Sequence, residues 1–133
     1  MIPYYKSIHN RFKINDFHFD KEALYQLAYT LIKEGKDYEN DLGVFLLDWL
    51  DDKETIQLTT SGTTGAPKVI TIKKQSMVYS AIATGNFFSL HPQDKALLCL
   101  PAKYIAGKMM IVRAMILGLE LDIMAPSSHL DDL

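Results

Sequence analysis

The sequence contains a single cysteine, Cys99, so no internal disulfide can form and a cysteine-based zinc site is excluded; a reducing compartment is expected. Long hydrophobic runs are missing as well. The longest apolar stretch, around Met109 to Leu121, is interrupted by Arg113 and Glu120, and the start, Met1 to Lys6, lacks the charged and apolar regions of a secretion signal. These features predict a cytoplasmic protein with no membrane span. Nor does charge of one sign dominate: 14 Lys and Arg face 16 Asp and Glu, a net charge of -2, so the broad basic face that nucleic acid or anionic lipid requires is not expected. With only seven Gly and five Pro in 133 residues, collagen-like and low-complexity classes fall away. The 48% hydrophobic content is enough for one packed domain.

Periodicity supplies the elements. Leu24, Leu27, Ala28, Leu31 and Ile32 recur at three- and four-residue steps, which predicts an amphipathic helix from Phe19 to Ile32 with Asp20 as its cap. Leu42, Phe45, Leu46, Trp49 and Leu50 predict a second helix from Glu39 to Asp51, with Glu39 and Asp41 near its positive end. The acidic flanks Glu34 to Asp41 and Asp51 to Glu54 read as solvated surface. Thr55 to Thr59 and Val69 to Lys73 alternate and are β-branched, so two strands flank the segment Thr60 to Lys68. Ser76 is expected to cap a helix reaching Phe88, with Met77, Ala81, Ile82 and Phe88 on one side. Lys95 to Leu100 reads as a short buried strand stopped by Pro101, Tyr104 to Leu117 as an apolar helix closed by Gly118, and Glu120 to Met124 as a further strand. Pro126 to His129 is expected to be the loop leaving it. Strand, helix and strand with short connections predict the α/β class, a mixed sheet with packed helices.

The stretch with most chemistry is Thr59-Thr60-Ser61-Gly62-Thr63-Thr64-Gly65-Ala66-Pro67-Lys68. Its glycines let successive backbone N–H groups turn toward one anion, and its hydroxyls and Lys68 add donors and charge, which suits a polyphosphate. A Ser/Thr/Gly hairpin turn explains the same composition. The usual P-loop pattern does not apply: Gly62 and Gly65 are too close, Lys68 does not follow a glycine, and Val69 stands where a magnesium-binding hydroxyl is needed. A free-standing NTPase is therefore the weakest reading.

The string from Thr60 to Lys68 resembles the phosphate-binding signature of the adenylate-forming superfamily, which includes acyl-CoA synthetases, luciferases and peptide-synthetase adenylation domains. About forty residues on, Leu100-Pro101-Ala102-Lys103-Tyr104-Ile105-Ala106-Gly107 resembles that superfamily's second core motif, beside the acyl-substrate pocket. Within the superfamily, the run Leu98 to Ser128 is most similar to the o-succinylbenzoate-CoA ligases of menaquinone biosynthesis. The resemblance covers residues 40 to 128. It implies that residues 1–133 are an N-terminal part of the large AMP-binding domain. The superfamily's mobile C-terminal domain and the catalytic lysine it carries are expected beyond Leu133, so that no catalytic residue falls within residues 1–133 and this part alone is inactive.

The implied chemistry has two steps: a carboxylate attacks the α-phosphorus of ATP to give an acyl-adenylate and pyrophosphate, and coenzyme A then displaces AMP. By the resemblance, Thr60, Ser61, Gly62, Thr63, Thr64, Gly65 and Lys68 wrap the β- and γ-phosphates, with Mg2+ held through phosphate oxygens rather than directly by the protein. The expected partners are thus small molecules: ATP, coenzyme A and an aromatic dicarboxylic acid. Tyr104 stands where many relatives carry histidine at the acyl pocket; a core aromatic at a helix start is the other reading. Arg113 lies in an apolar helix and needs an anion, either the second substrate carboxylate or a structural partner, unless it snorkels to the surface. Gly107 allows close approach of substrate or of backbone. Lys108 reads as a surface lysine, and Met109, Met110 and Met115 as core filler. His9, His18, His91 and His129 share no metal-ligand spacing, and Cys99 has no nearby base. A stand-alone, non-catalytic nucleotide- or phosphate-binding module is the alternative from a different class, and a ligase for another carboxylic acid the alternative within the same one.

Overall fold

The computed structural model describes residues 2–60 and 65–126. Its first pairing escapes periodicity altogether: β1 (Lys13–Ile14) and β2 (Phe17–His18) form an antiparallel hairpin of two residues a side. The turn residues Asn15 and Asp16 have φ of 48° and 70°, the left-handed pair that matches the twist of a tight hairpin and that Asn and Asp tolerate best after glycine. That Asn-Asp pair is the only sequence signal of this element, because two-residue strands cannot alternate.

Helix α1 (Lys21–Glu34) starts as expected, with the Asp20 carboxylate accepting the Ala23 N–H at 2.8 Å. Helix α2 (Asp37–Leu50) begins two residues ahead of expectation. Glu39 reaches back to accept the Lys36 N–H at 3.1 Å, which satisfies a donor that the helix start leaves open. The Asn40 amide then donates to the carbonyls of Leu31, Ile32 and Gly35 at 2.6, 3.1 and 3.3 Å, closing the end of α1. The two helices approach closely at Gly43, where a Cβ would lie 2.7 Å from the Ala28 carbonyl oxygen. The Tyr25 hydroxyl donates to the Leu50 carbonyl and ties the far ends together.

Strands β3 (Thr55–Thr60) and β4 (Lys68–Lys73) pair antiparallel, in register from Thr55 opposite Lys73 to Thr60 opposite Lys68. Ile56 and Leu58 point into the core and their neighbours outward, as the alternation predicts. Helix α3 (Lys74–Phe87) corrects two expectations. Ser76 is not its cap: the helix starts two residues earlier, because the Lys74 N–H bonds the Glu54 carbonyl at 2.9 Å while its side chain is drawn inward. Lys74 is fully buried, with Nζ 2.7 Å from a carboxylate oxygen of Asp51 and 5.8 Å from the centre of the Tyr5 ring. Asp51, expected as solvated flank, is therefore an ion-pair partner that stays partly in water. Phe88, expected on the apolar side, follows the last helical residue and is 65% exposed, since the chain leaves the helical period there. Gln75 holds the N-terminal segment, accepting the Tyr5 N–H and donating to the Pro3 carbonyl, both at 2.9 Å.

Strand β5 (Lys95–Leu98), helix α4 (Ile105–Leu117) and strand β6 (Glu120–Ile123) form a parallel βαβ unit, and β6 also pairs parallel with β1. The resulting four-stranded mixed sheet, ordered β2-β1-β6-β5, with helices packed against it, is the expected fold class. β5 is an edge strand and only half-buried: Leu98 faces the core and Leu97 is exposed, so it is not the buried strand expected, and Cys99 lies just past its end. α4 is apolar nearly all round and buries Met109, Ile111, Val112, Ala114, Met115 and Ile116, which makes it the centre of the core. Gly118 ends it with φ of 78°, its N–H bonded to the Ala114 carbonyl at 3.0 Å and its open face against the His9 ring. Among the described residues no helix is long and apolar enough to cross a membrane. Ser127, Ser128 and His129, expected in the closing loop, lie outside the described residues. So does Leu133, beyond which the catalytic lysine is expected.

Burial works to raise the Asp51 pKa, but hydrogen bonds from Lys74 and the Lys53 backbone, with the charges of both lysines, outweigh it and hold the carboxyl below its ordinary value. Such a group stabilises the fold fully above the unfolded value, near pH 4, and loses that contribution as pH falls through the folded value. The urea midpoint of the wild type should therefore fall more steeply from about pH 5 to about pH 2 than that of Asp51→Asn. At pH 7, Lys74→Met should destabilise by about 2 kcal/mol, less than a fully buried pair would show. The discount follows from the Asp51 side chain, which keeps 37% of its surface exposed.

Candidate functional site

The β3–β4 hairpin fixes where the Ser/Thr/Gly segment leaves and rejoins the fold. Thr60 and Lys68 face each other as the last pair, and the Thr60 hydroxyl donates to the Lys68 carbonyl at 3.3 Å. Ser61, Gly62, Thr63 and Thr64 lie outside the described residues. Gly65 has φ of 133°, which strains any other residue, and among the described residues nothing stands within 4 Å of where its Cβ would be. The Lys68 side chain is exposed at the hairpin mouth. A glycine backbone of positive φ and an exposed lysine thus lie at one end of the hairpin.

The second motif is brought to the same place. Leu100 to Lys103 form the turn after β5, and Tyr104 is the residue from which α4 starts, its N–H bonded to the Pro101 carbonyl at 3.2 Å. A cavity of about 310 Å³ is lined by Thr59, Thr60, Pro67, Lys103 and Tyr104, so the two stretches meet across it. The Lys103 ammonium sits 5.2 Å from the centre of the Tyr104 ring. Lys103 thus adds a second positive charge beside the hairpin stem. Nothing in the sequence singled it out, although it stands next to Tyr104 in the quoted motif. Tyr104 is 43% exposed, which is not the environment of a core aromatic.

Gly107 and Arg113 are placed elsewhere. Gly107 is buried, and a Cβ there would collide with the Pro101 carbonyl, so its small size serves backbone packing between the turn and the helix. Arg113 lies nine residues beyond Tyr104, about 13 Å along the α4 axis. Among the described residues its buried Nε has no hydrogen-bond partner, and the side chain borders a separate cavity of about 440 Å³ walled by Thr84, Phe88, Leu90, Ala96 and Met110. Asp94 and Lys95 also reach that cavity. The structure therefore joins Thr60 with Tyr104 and keeps Arg113 apart from both.

Lys108 departs from the surface lysine expected. Its ammonium donates to the Ala102 carbonyl at 2.7 Å and lies 5.8 Å from the centre of the Phe45 ring. Burial lowers its pKa from the ordinary lysine value, opposed by the charges of Asp41 and Asp48.

Residues 31–133 match the family model described as AMP-binding enzyme. The chain belongs to the AMP-binding enzyme family. Among solved structures, an AMP-forming acyl-CoA synthetase/AMP-acid ligase II-like protein from Dyadobacter fermentans is 39% identical over 77% of this chain and 29% of its own, with a TM-score of 0.66. The o-succinylbenzoate CoA synthetase of Bacillus subtilis, in complex with ATP and magnesium, is 27% identical over 55% of this chain and 15% of its own, with a TM-score of 0.51. The same synthetase in complex with its acyl-adenylate intermediate gives a TM-score of 0.50 at the same identity. No curated protein matches. This AMP-binding enzyme chain spans under a third of the length of these relatives.

Because the Pro101 carbonyl fills the space over Gly107, Gly107→Ala should push the turn off α4 and destabilise the protein by about 1–3 kcal/mol. Thermal unfolding of the variant checks this, with Gly65→Ala, strained in φ but free of any clash with the described residues, as the milder comparison.

Proposed function

We propose that residues 1–133 form the N-terminal part of the large adenylation domain of an AMP-forming acid–CoA ligase, whose catalytic lysine belongs to a C-terminal domain beyond Leu133. One observation carries the reading: Thr59, Thr60 and Pro67 of the hairpin and Lys103 and Tyr104 of the turn line a single cavity. A phosphate-holding loop and an acyl-holding turn must adjoin if a carboxylate is to reach the α-phosphorus of ATP. In this reading Thr60, Ser61, Gly62, Thr63, Thr64, Gly65 and Lys68 hold the β- and γ-phosphates through backbone N–H groups, hydroxyls and one ammonium. The positive φ of Gly65 and the exposed Lys68 fit a polyphosphate. Magnesium, carried in on the ATP phosphates rather than held by these residues, would supply charge neutralisation as pyrophosphate leaves. Tyr104 offers a phenol to the acyl group, and coenzyme A takes up the acyl group in the second half-reaction, in the cytoplasm.

For the acid we propose o-succinylbenzoate, which has two carboxylates. The first would lie by Tyr104 and the second would pair with the Arg113 guanidinium at the cavity that its side chain borders. The length of helix between Tyr104 and Arg113 favours a second reading, a different carboxylic acid whose body ends at the Tyr104 cavity. Gly107 contributes by letting the turn sit against α4.

ATP–pyrophosphate exchange by the intact protein tests both. Exchange that depends on o-succinylbenzoate is the expected result, with Lys68→Ala raising the KM for ATP. Arg113→Leu should raise the KM for o-succinylbenzoate by about tenfold or more, the worth of one hydrogen bond to a charged group. Exchange supported by another acid and indifferent to Arg113 selects the second reading. Nucleotide binding by the intact protein without any exchange leaves a binding module and overturns the ligase.

A further inference from the structure

Asp41, Phe45 and Asp48 follow one another at four and three residues along α2, so they share one helix face. The Lys108 ammonium reaches that stripe from α4: it lies 5.8 Å from the Phe45 ring centre and within the field of both carboxylates. The same ammonium donates to the Ala102 carbonyl at 2.7 Å. Ala102 is buried and lies in the turn that ends at Tyr104. Two further contacts pull on this turn from α4, the Tyr104 N–H to the Pro101 carbonyl and the packing of Gly107 on Pro101. Both belong to the start of α4 itself. Lys108 carries the turn's backbone across to another helix.

We infer that Lys108 is a positioning residue, which pins the Pro101–Tyr104 turn to the Asp41–Phe45–Asp48 face of α2 and so sets the height of Tyr104 over the hairpin stem. It touches no substrate; it acts through the Ala102 carbonyl. Burial lowers its pKa from the ordinary lysine value, in keeping with an ammonium partly withdrawn from water. The kinetic part of the inference rests on the ligase reading; the structural part does not.

The test uses the intact protein with Lys108→Met and Lys108→Arg. Amide hydrogen exchange in the peptide spanning residues 101–107 should quicken about tenfold in Lys108→Met, the factor that loss of one such bond allows, while exchange in β3 and β4 stays as in the wild type. In acid-dependent ATP–pyrophosphate exchange, Lys108→Met should raise the KM for the acid about tenfold with the KM for ATP unchanged, and Lys108→Arg, which keeps charge and donor, should recover most of it. Unchanged exchange in 101–107, equal rises in both KM values, or failure of the arginine to rescue overturns the inference. If the wild type shows no acid-dependent exchange of pyrophosphate, the ligase reading falls, and the hydrogen-exchange comparison still decides whether Lys108 pins the turn.

Discussion

An ammonium with none of its surface in water has to find its counter-charge within the protein, and Lys74 finds Asp51 at the end of α2. This contact fixes three segments at once. It joins the end of the helical pair to the start of α3, and the Lys74 N–H, bonded to the Glu54 carbonyl, closes the base of the β3–β4 hairpin between them. Tyr5 lies against the same ammonium, and Gln75, the next residue, holds the N-terminal segment at Pro3 and Tyr5. The hairpin that carries the phosphate-loop candidates therefore projects from a base set by one ion pair. Its other end, at Thr60 and Lys68, leads into the Ser/Thr/Gly segment.

A second constraint comes from α4, whose nearly continuous apolar surface leaves it one stable place, in the middle of the core between sheet and helices. Its start is where the chemistry collects. β5 delivers the chain to the Pro101–Tyr104 turn, Gly107 lets that turn approach the helix, and Lys108 carries it to α2. Farther along it stands Arg113, whose side chain borders a mostly apolar cavity and whose buried Nε has no hydrogen-bond partner among the described residues. A rigid helix thus separates two candidate contacts for one acid by a fixed length, so the ligase reading makes a statement about substrate size as well as charge.

Much of this was legible in the residues. The helices at Leu24–Ile32 and Leu42–Leu50, the alternating strands around the Ser/Thr/Gly segment and the glycine stop at Gly118 all follow from short-range periodicity and backbone preference, which act within a few residues. The family was legible too, because Thr60–Lys68 is a local string whose function depends on its own backbone. The β1–β2 hairpin was not, being too short to alternate, and neither was the true start of α3, where the pull of Asp51 on Lys74 outweighs the capping preference of Ser76.

By itself the sequence determined the α/β class, the element types and the membership of a family of AMP-binding enzymes, since these rest on patterns carried within single segments. Only the tertiary structure decided which distant residues meet. It set Tyr104 opposite Thr60 and Arg113 away from both, and it drew Lys108 and Asp51, each half-buried, into contacts between separate segments. The reason is that a charged side chain looks the same in a sequence whether water or protein surrounds it. Its partner, often tens of residues distant, is settled only when the helices pack.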